Sequence, residues 1–334
     1  MAFDIAWWLP VIFAALLGVA ILLYVMLDGF DLGVGLLSPF ADAEERDRII
    51  GSVGPFWDGN ETWLVLAVGL LLVAFPVANG VILTTLYPLV VAMLIGLILR
   101  GVAFEFRAKA PSGNKHLWDK AFFLGSLVAS LAQGAMLGLY VLGLALTPIS
   151  IAFAALTAIC LAVAYSFSGA AWLILKTEGL LQLKAIEWAR RSLWGVLVGL
   201  LAVSIATPLA SPRLFHKWID LPTALYLAPL PILALVILAW LWRLLDALPL
   251  PGDRMAWGPL AGALGLMVLG FGGMAYSFYP YVLPDRLTIW DAASATESLR
   301  VMLYGVVIVV PIILSYTALA YFIFRGKTVS IDYE

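Results

Sequence analysis

Carboxylates and guanidinium groups stand at the ends of the first three apolar stretches of this chain, where hydrocarbon makes charge expensive. The first stretch closes on Asp28-Gly29-Phe30-Asp31-Leu32-Gly33-Val34-Gly35. The second opens on Gly54-Pro55-Phe56-Trp57-Asp58-Gly59-Asn60-Glu61-Thr62-Trp63, and the third closes on Leu99-Arg100-Gly101-Val102-Ala103-Phe104-Glu105-Phe106-Arg107. A charge at a helix centre in lipid costs roughly 2.5–3.5 kcal/mol on insertion scales, so such groups face a bundle interior or a water path. If the three stretches are antiparallel neighbours, five carboxyls (Asp28, Asp31, Asp58, Glu61, Glu105) and two guanidiniums (Arg100, Arg107) share one narrow layer at one membrane face. Residues three or four apart lie on one helix face, which pairs Asp28 with Asp31 and Asp58 with Glu61. Carboxyls whose proton affinities are set apart by like charges, poor solvation and neighbouring arginines can pass a proton in steps. A structural reading stands beside this one. Asp58 suits the amino-terminal end of a helix, Arg107 is expected to snorkel to lipid headgroups, and Arg100 is expected to neutralise a carboxylate.

The elements that must position these groups follow from composition. Of 334 residues, 63% are apolar and only 12% charged, far from a soluble domain. Nine runs approach the roughly 20 residues that a helix needs to span a bilayer. They predict spans at 7–28 (helical to about 37), 57–77, 80–105, 119–146, 150–175, 191–210, 222–243, 257–278 and 299–325, in one integral-membrane domain over 1–334. Pro76 with Asn79-Gly80, Thr147-Pro148, Ser211-Pro212, Pro249-Leu250-Pro251 and Pro280 with Pro284 mark the divisions. The stretch from Lys176 to Arg191 reads as a helix on the membrane surface or an extension of its flanking spans. Gly29/Gly33, Gly134/Gly138 and Gly195/Gly199 have the spacing that lets membrane helices approach closely.

Basic residues give the orientation. Of the 19 Lys and Arg, Arg213, Lys217, Arg286 and Arg300 lie on one face, Arg100 lies within a span, and all the others follow odd-numbered spans. Positive residues stay cytoplasmic, which predicts a periplasmic amino terminus and a cytoplasmic carboxyl terminus. The first run lacks a basic leader and a small-residue cleavage site, so it is read as a retained span. A net charge of −2 argues against nucleic acid, and the lone Cys160 reads as packing. The aromatic clusters, Trp7 and Trp8 with Tyr276, Tyr279, Tyr281 and Trp290, read as interfacial anchors.

The three opening blocks resemble subunit II of cytochrome bd-type quinol oxidases. Tyr279-Pro280-Tyr281-Val282-Leu283-Pro284, Thr288-Ile289-Trp290-Asp291-Ala292-Ala293 and Phe324-Arg325-Gly326-Lys327 resemble the family's last extracytoplasmic loop and its tail. The match runs end to end with its blocks in order; short length and Glu61 look closer to the cyanide-insensitive branch. The resemblance implies an all-α polytopic fold of nine transmembrane helices, as two four-helix bundles plus one peripheral helix. It implies a complex of the bacterial inner membrane that oxidises quinol and reduces dioxygen in aerobic respiration. Haems b and d, or b-type alone, belong to the partner subunit I, and this chain would bind none by its own ligands. Composition agrees, since His116 and His216 fall in loops and Met93, Met136, Met267 and Met274 read as core filler. The resemblance also admits a small single-span third subunit and a bound quinone or lipid, for which no residue here is specific.

In the family, subunit II is thought to help carry protons from the cytoplasm to the haems. Asp58 matches the aspartate most often placed on that path, Asp31 the second aspartate of the Asp-Gly-Phe-Asp block, and Arg100 the buried arginine. Glu105 stands where relatives can have aspartate, and Glu61 where some have glutamine. Asp28 completes the expected proton-pathway set. An ion-coupled transporter would also gather carboxylates around arginine, but with interrupted helices and polar residues at the midplane of two repeats. A purely structural assembly subunit would need the packing and none of the titratable groups.

Overall fold

Backbone amides in hydrocarbon have no water to bond, so a long apolar stretch satisfies them by coiling into a helix. The computed structural model describes residues 5–221 and 223–328, and nearly all of them are helical. The first half contains α1 (Ile5–Leu37), α2 (Ala43–Val53), α3 (Trp57–Ala74), α4 (Pro76–Lys109) and α5 (Lys115–Val141). The second contains α6 (Pro148–Lys176), α7 (Gly179–Ala210), α8 (Pro212–Ile219), α9 (Thr223–Leu227), α10 (Pro229–Ala247) and α11 (Gly258–Phe278). A small antiparallel hairpin, β1 (Tyr281–Leu283) and β2 (Leu287–Thr288), leads through α12 (Ile289–Ala292) to α13 (Thr296–Ile323). Among the described residues, eight helices are long and apolar enough to cross a membrane; α2 with α3, bent by 48°, makes a ninth if counted as one span.

Helices occupy the apolar runs, and two features depart from the reading: a break in the seventh run and an added helix, α2. α1 continues without a break to Leu37, along the helical extension expected there, so both of its aspartates are helical. α7 begins at Gly179, which makes the Lys176–Arg191 stretch an extension of the sixth run. The seventh run is divided at Ala228, between α9 and α10. α2 was not expected at all: its apolar content is too low, yet a capping box starts it. Asp42 Oδ1 accepts from Glu45 N at 2.9 Å, and Glu45 Oε2 accepts from Asp42 N at 3.0 Å. The bond from the Glu45 amide holds the Asp42 carboxyl below its ordinary value.

α1 sits at the centre and packs on α3, α5 and α6. α3 meets α4 and α4 meets α5; α6 meets α7, α7 meets α10, α10 meets α11, and α11 returns to α6. Glycines permit the closest approaches. A Cβ on Gly33 would stand 1.8 Å from the Tyr165 carbonyl oxygen, and Gly169 faces Gly33 from α6. Gly134 and Gly138 meet Ala158 and Ala154 of α6, and Gly199 meets Cys160. α13 is the least embedded, with Leu299 its only fully buried residue. Its last turn is nevertheless gripped. Lys176 Nζ, buried between the rings of Phe56 and Trp172, donates to the carbonyls of Phe324 and, at 3.1 Å, Gly326. At the opposite end, Trp290 Nε1 donates to the Trp7 carbonyl at 3.0 Å and their rings pack 5.1 Å apart, tying α1 to the loop before α13.

Candidate functional site: a buried charge cluster between the first helices

The inner cluster forms where α1, α3 and α4 converge. Asp28 lies nine residues before the end of α1 and Arg100 nine before the end of α4, roughly 13 Å of helix in each case. Arg100 Nη2 donates to Asp28 Oδ1 at 2.6 Å and also to Glu61 Oε1. Arg100 is 2% exposed and Asp28 0%, while the Glu61 side chain keeps 25% of its surface open. Asp31, 1% exposed, takes no salt bridge among the described residues; its Oδ2 accepts from Asn60 Nδ2 at 2.8 Å. Three carboxyls therefore stand around one guanidinium, two of them buried and Glu61 partly open. Asp28 Oδ2, Asp31 Oδ1 and Arg100 Nε and Nη1 are buried with no protein partner. A small cavity lined by Asp31, Val53, Trp57, Arg100, Phe104 and Phe122 touches both charge types.

Neutral polar residues, none singled out from sequence, extend the cluster on two sides. On one, Tyr165 Oη donates to Gln133 Oε1 at 2.8 Å, and Gln133 Nε2 donates to Tyr24 Oη at 2.7 Å. The Tyr24 hydroxyl is left to point at Asp28, one turn further along α1. On the other, Tyr321 Oη of α13 donates to Asn60 Oδ1 at 3.0 Å. Five helices thus hold the two buried aspartates. A glutamine in the middle of the fourth apolar run was the signal available; the tyrosines carry none, since aromatic residues are ordinary in such runs.

The expected single layer is in fact two, with outliers. Arg107 does not snorkel to headgroups. It is buried, donates through Nε to Asp119 Oδ1 at 2.5 Å, and lies 2.6 Å from Asp47 Oδ1 through Nη1. Arg46 Nη1 reaches the other Asp119 oxygen at 2.7 Å. This outer knot fastens α2 across α4 and α5 about two turns from Arg100. Burial among carboxylates overrides snorkelling because Asp47 on α2 and Asp119 in the first turns of α5 both meet the guanidinium. Glu105 is exposed and joins neither group. Asp58 is also exposed, in the first turn of α3, where its charge suits the helix amino terminus; it makes no ion pair among the described residues and sits three residues from Glu61.

His116 and His216 are exposed, the first beside the Gly113 carbonyl and the second beside Asp220. Among the described residues no three His, Cys, Asp or Glu side chains gather as metal ligands.

These features define a polytopic helical membrane protein with a charge cluster sealed inside its first helices. The family model described as "Cytochrome bd terminal oxidase subunit II" matches residues 9–324, and the chain belongs to that family. It is 29% identical to cytochrome bd-I ubiquinol oxidase subunit 2 of Escherichia coli (strain K12), over 98% of this chain and 96% of that one. Identity to cytochrome bd ubiquinol oxidase subunit 2 of Bacillus subtilis (strain 168) is 27%, over 91% and 92%. The structure of bd oxidase from Geobacillus thermodenitrificans includes a chain of the same fold, with a TM-score of 0.72 at 17% identity, covering 96% of this chain and 99% of that one.

Proposed function

We propose that this chain is the haem-free second subunit of a bd-type quinol:oxygen oxidoreductase of the bacterial cytoplasmic membrane, inactive alone. Its task is to hold the haem-bearing subunit I and to admit protons from the cytoplasm. The observation that carries this reading is the group of Asp28, Asp31 and Glu61 around Arg100, buried except for part of Glu61. A single guanidinium facing three carboxyls can stay charged while the group takes up and gives away a proton. Purely structural pairing would need one carboxyl, and a buried pair is weak evidence for stability in any case.

In this reading Asp58, open on the flank of α3, receives protons near the partner subunit, and Glu61 carries them in toward Asp28 and Asp31. Glu105 assists at the margin, and Arg100 sets the charge balance. The packing order supports two four-helix bundles, α1-α3-α4-α5 and α6-α7-α10-α11, in one membrane domain with α13 at its edge. The basic residues support a periplasmic amino terminus and a cytoplasmic carboxyl terminus. Haems b and d, or b-type alone, belong to the partner, and a small third subunit and a bound quinone or lipid fit the same assembly.

The test is Asp58→Asn in the co-purified complex. Oxygen reduction should slow while the visible haem spectrum of the complex is unchanged and the isolated chain shows none. Wild-type turnover in a fully assembled variant rejects the role of Asp58.

A further inference from the structure

An amide side chain has two ends of nearly equal shape, and only its partners decide which way it faces. Asn60 is 1% exposed and cannot turn to water for an alternative. Toward α1 its Nδ2 donates to Asp31 Oδ2 at 2.8 Å and approaches the Leu27 carbonyl at 3.4 Å. Away from α1 its Oδ1 accepts from the Tyr321 hydroxyl at 3.0 Å. Among the described residues, no other hydrogen bond reaches that second end.

We propose that Tyr321 is a positioning residue: its hydroxyl holds the Asn60 amide so that the NH2 group faces Asp31. This rests on the proton-uptake reading for its consequence in turnover, though not for its geometry. The two parts of Tyr321 do separate work. The ring stacks on Phe56 with centroids 4.6 Å apart and meets Trp172 edge-on, which seats the last turns of α13. The hydroxyl adds nothing to that stack and goes to the amide. Without it, Oδ1 becomes a buried acceptor with no donor, a state that favours tilting of the amide away from Asp31. Asp31 is then weakly held by Asn60, its one hydrogen-bond partner among the described residues, since its Oδ1 has none there. The pair borders a cleft between α3 and α13, lined in part by Gly59, Tyr316 and Thr317, so the seating of α13 and the partner of Asp31 are linked.

The experiment uses the complete complex with its haem-bearing partner and four forms of this chain: Tyr321→Phe, Asn60→Ala, the double variant, and Asp31→Asn. The infrared carboxyl band of Asp31 is identified by its loss in Asp31→Asn. Tyr321→Phe should shift that band as Asn60→Ala does, and the double variant should shift it no further. The pH profile of quinol-driven oxygen uptake should be displaced alike in the two single variants. An unmoved band in Tyr321→Phe, or a shift in the double variant equal to the sum, overturns the proposal. So does failure of Tyr321→Phe to assemble with normal haem content, because phenylalanine keeps the ring. If the band shifts as expected while all four variants, Asp31→Asn included, turn over as wild type, the positioning stands and the proton-uptake role of Asp31 falls.

Discussion

Arg100 is the residue on which the buried carboxyls depend. Replacing it by leucine leaves Asp28 buried without a counter-charge, and breaking such a pair typically costs about 3–5 kcal/mol. Arg100→Leu should therefore lower the thermal midpoint of the solubilised complex sharply. Adding Asp28→Leu to it should restore part of the loss, because the orphaned charge has gone. A double variant no better than the single one would show that Arg100 acts chiefly through Glu61 or Asp31. The charged members of this cluster were legible in the sequence, since ionisable groups in long apolar runs stand out against their cost. Their neutral supports were not. Tyr24, Gln133, Tyr165 and Tyr321 come from four different helices, and only three-dimensional packing brings them to the aspartates. Arg107 was misread for a related reason: its partners Asp47 and Asp119 lie on two other helices, α2 and α5, and only packing brings them to it.

At the scale of elements, the α1–α6 contact is the least forgiving. A methyl group on Gly33 would collide with backbone, and no side chain can swing aside to make room. Overpacking typically costs about 1–3 kcal/mol and can exceed that where backbone must move. Gly33→Ala should thus reduce the yield of folded chain and its melting temperature. A methyl on Gly69, in the interior of α3, would meet nothing within 4 Å, so Gly69→Ala should be neutral or stabilising by about 0.5–1 kcal/mol. Equal behaviour of the two alanines would refute the close-approach account. Spacing in the sequence pointed to Gly29 and Gly33 as a contact face, but Gly169, the residue opposite, has no such spacing partner. The amphipathic α2 escaped notice because hydropathy was the guide; Asp42 followed by Glu45 before an apolar pattern was the sign that could have revealed it.

For the whole molecule, the two loop histidines offer a direct test of sidedness. Cys160 is the only cysteine, so a Cys160→Ser background allows single thiols to be placed at will. In intact cells, a membrane-impermeant thiol reagent should label His216→Cys and spare His116→Cys; inverted vesicles should give the reverse. Labelling of the His116→Cys protein from outside would turn the proposed topology over.

The grip of Lys176 on the end of α13 bears on how such a chain comes to be complete. The ammonium belongs to the middle of the polypeptide, yet the Gly326 carbonyl that receives it is made 150 residues later. Until synthesis reaches that point, a cation is committed to an apolar corner with two aromatic rings for company, and an unpaired charge there is costly. The final helix is thus the closing piece of the structure. Its arrival both fills the groove beside α3 and discharges a debt contracted at the midpoint of translation.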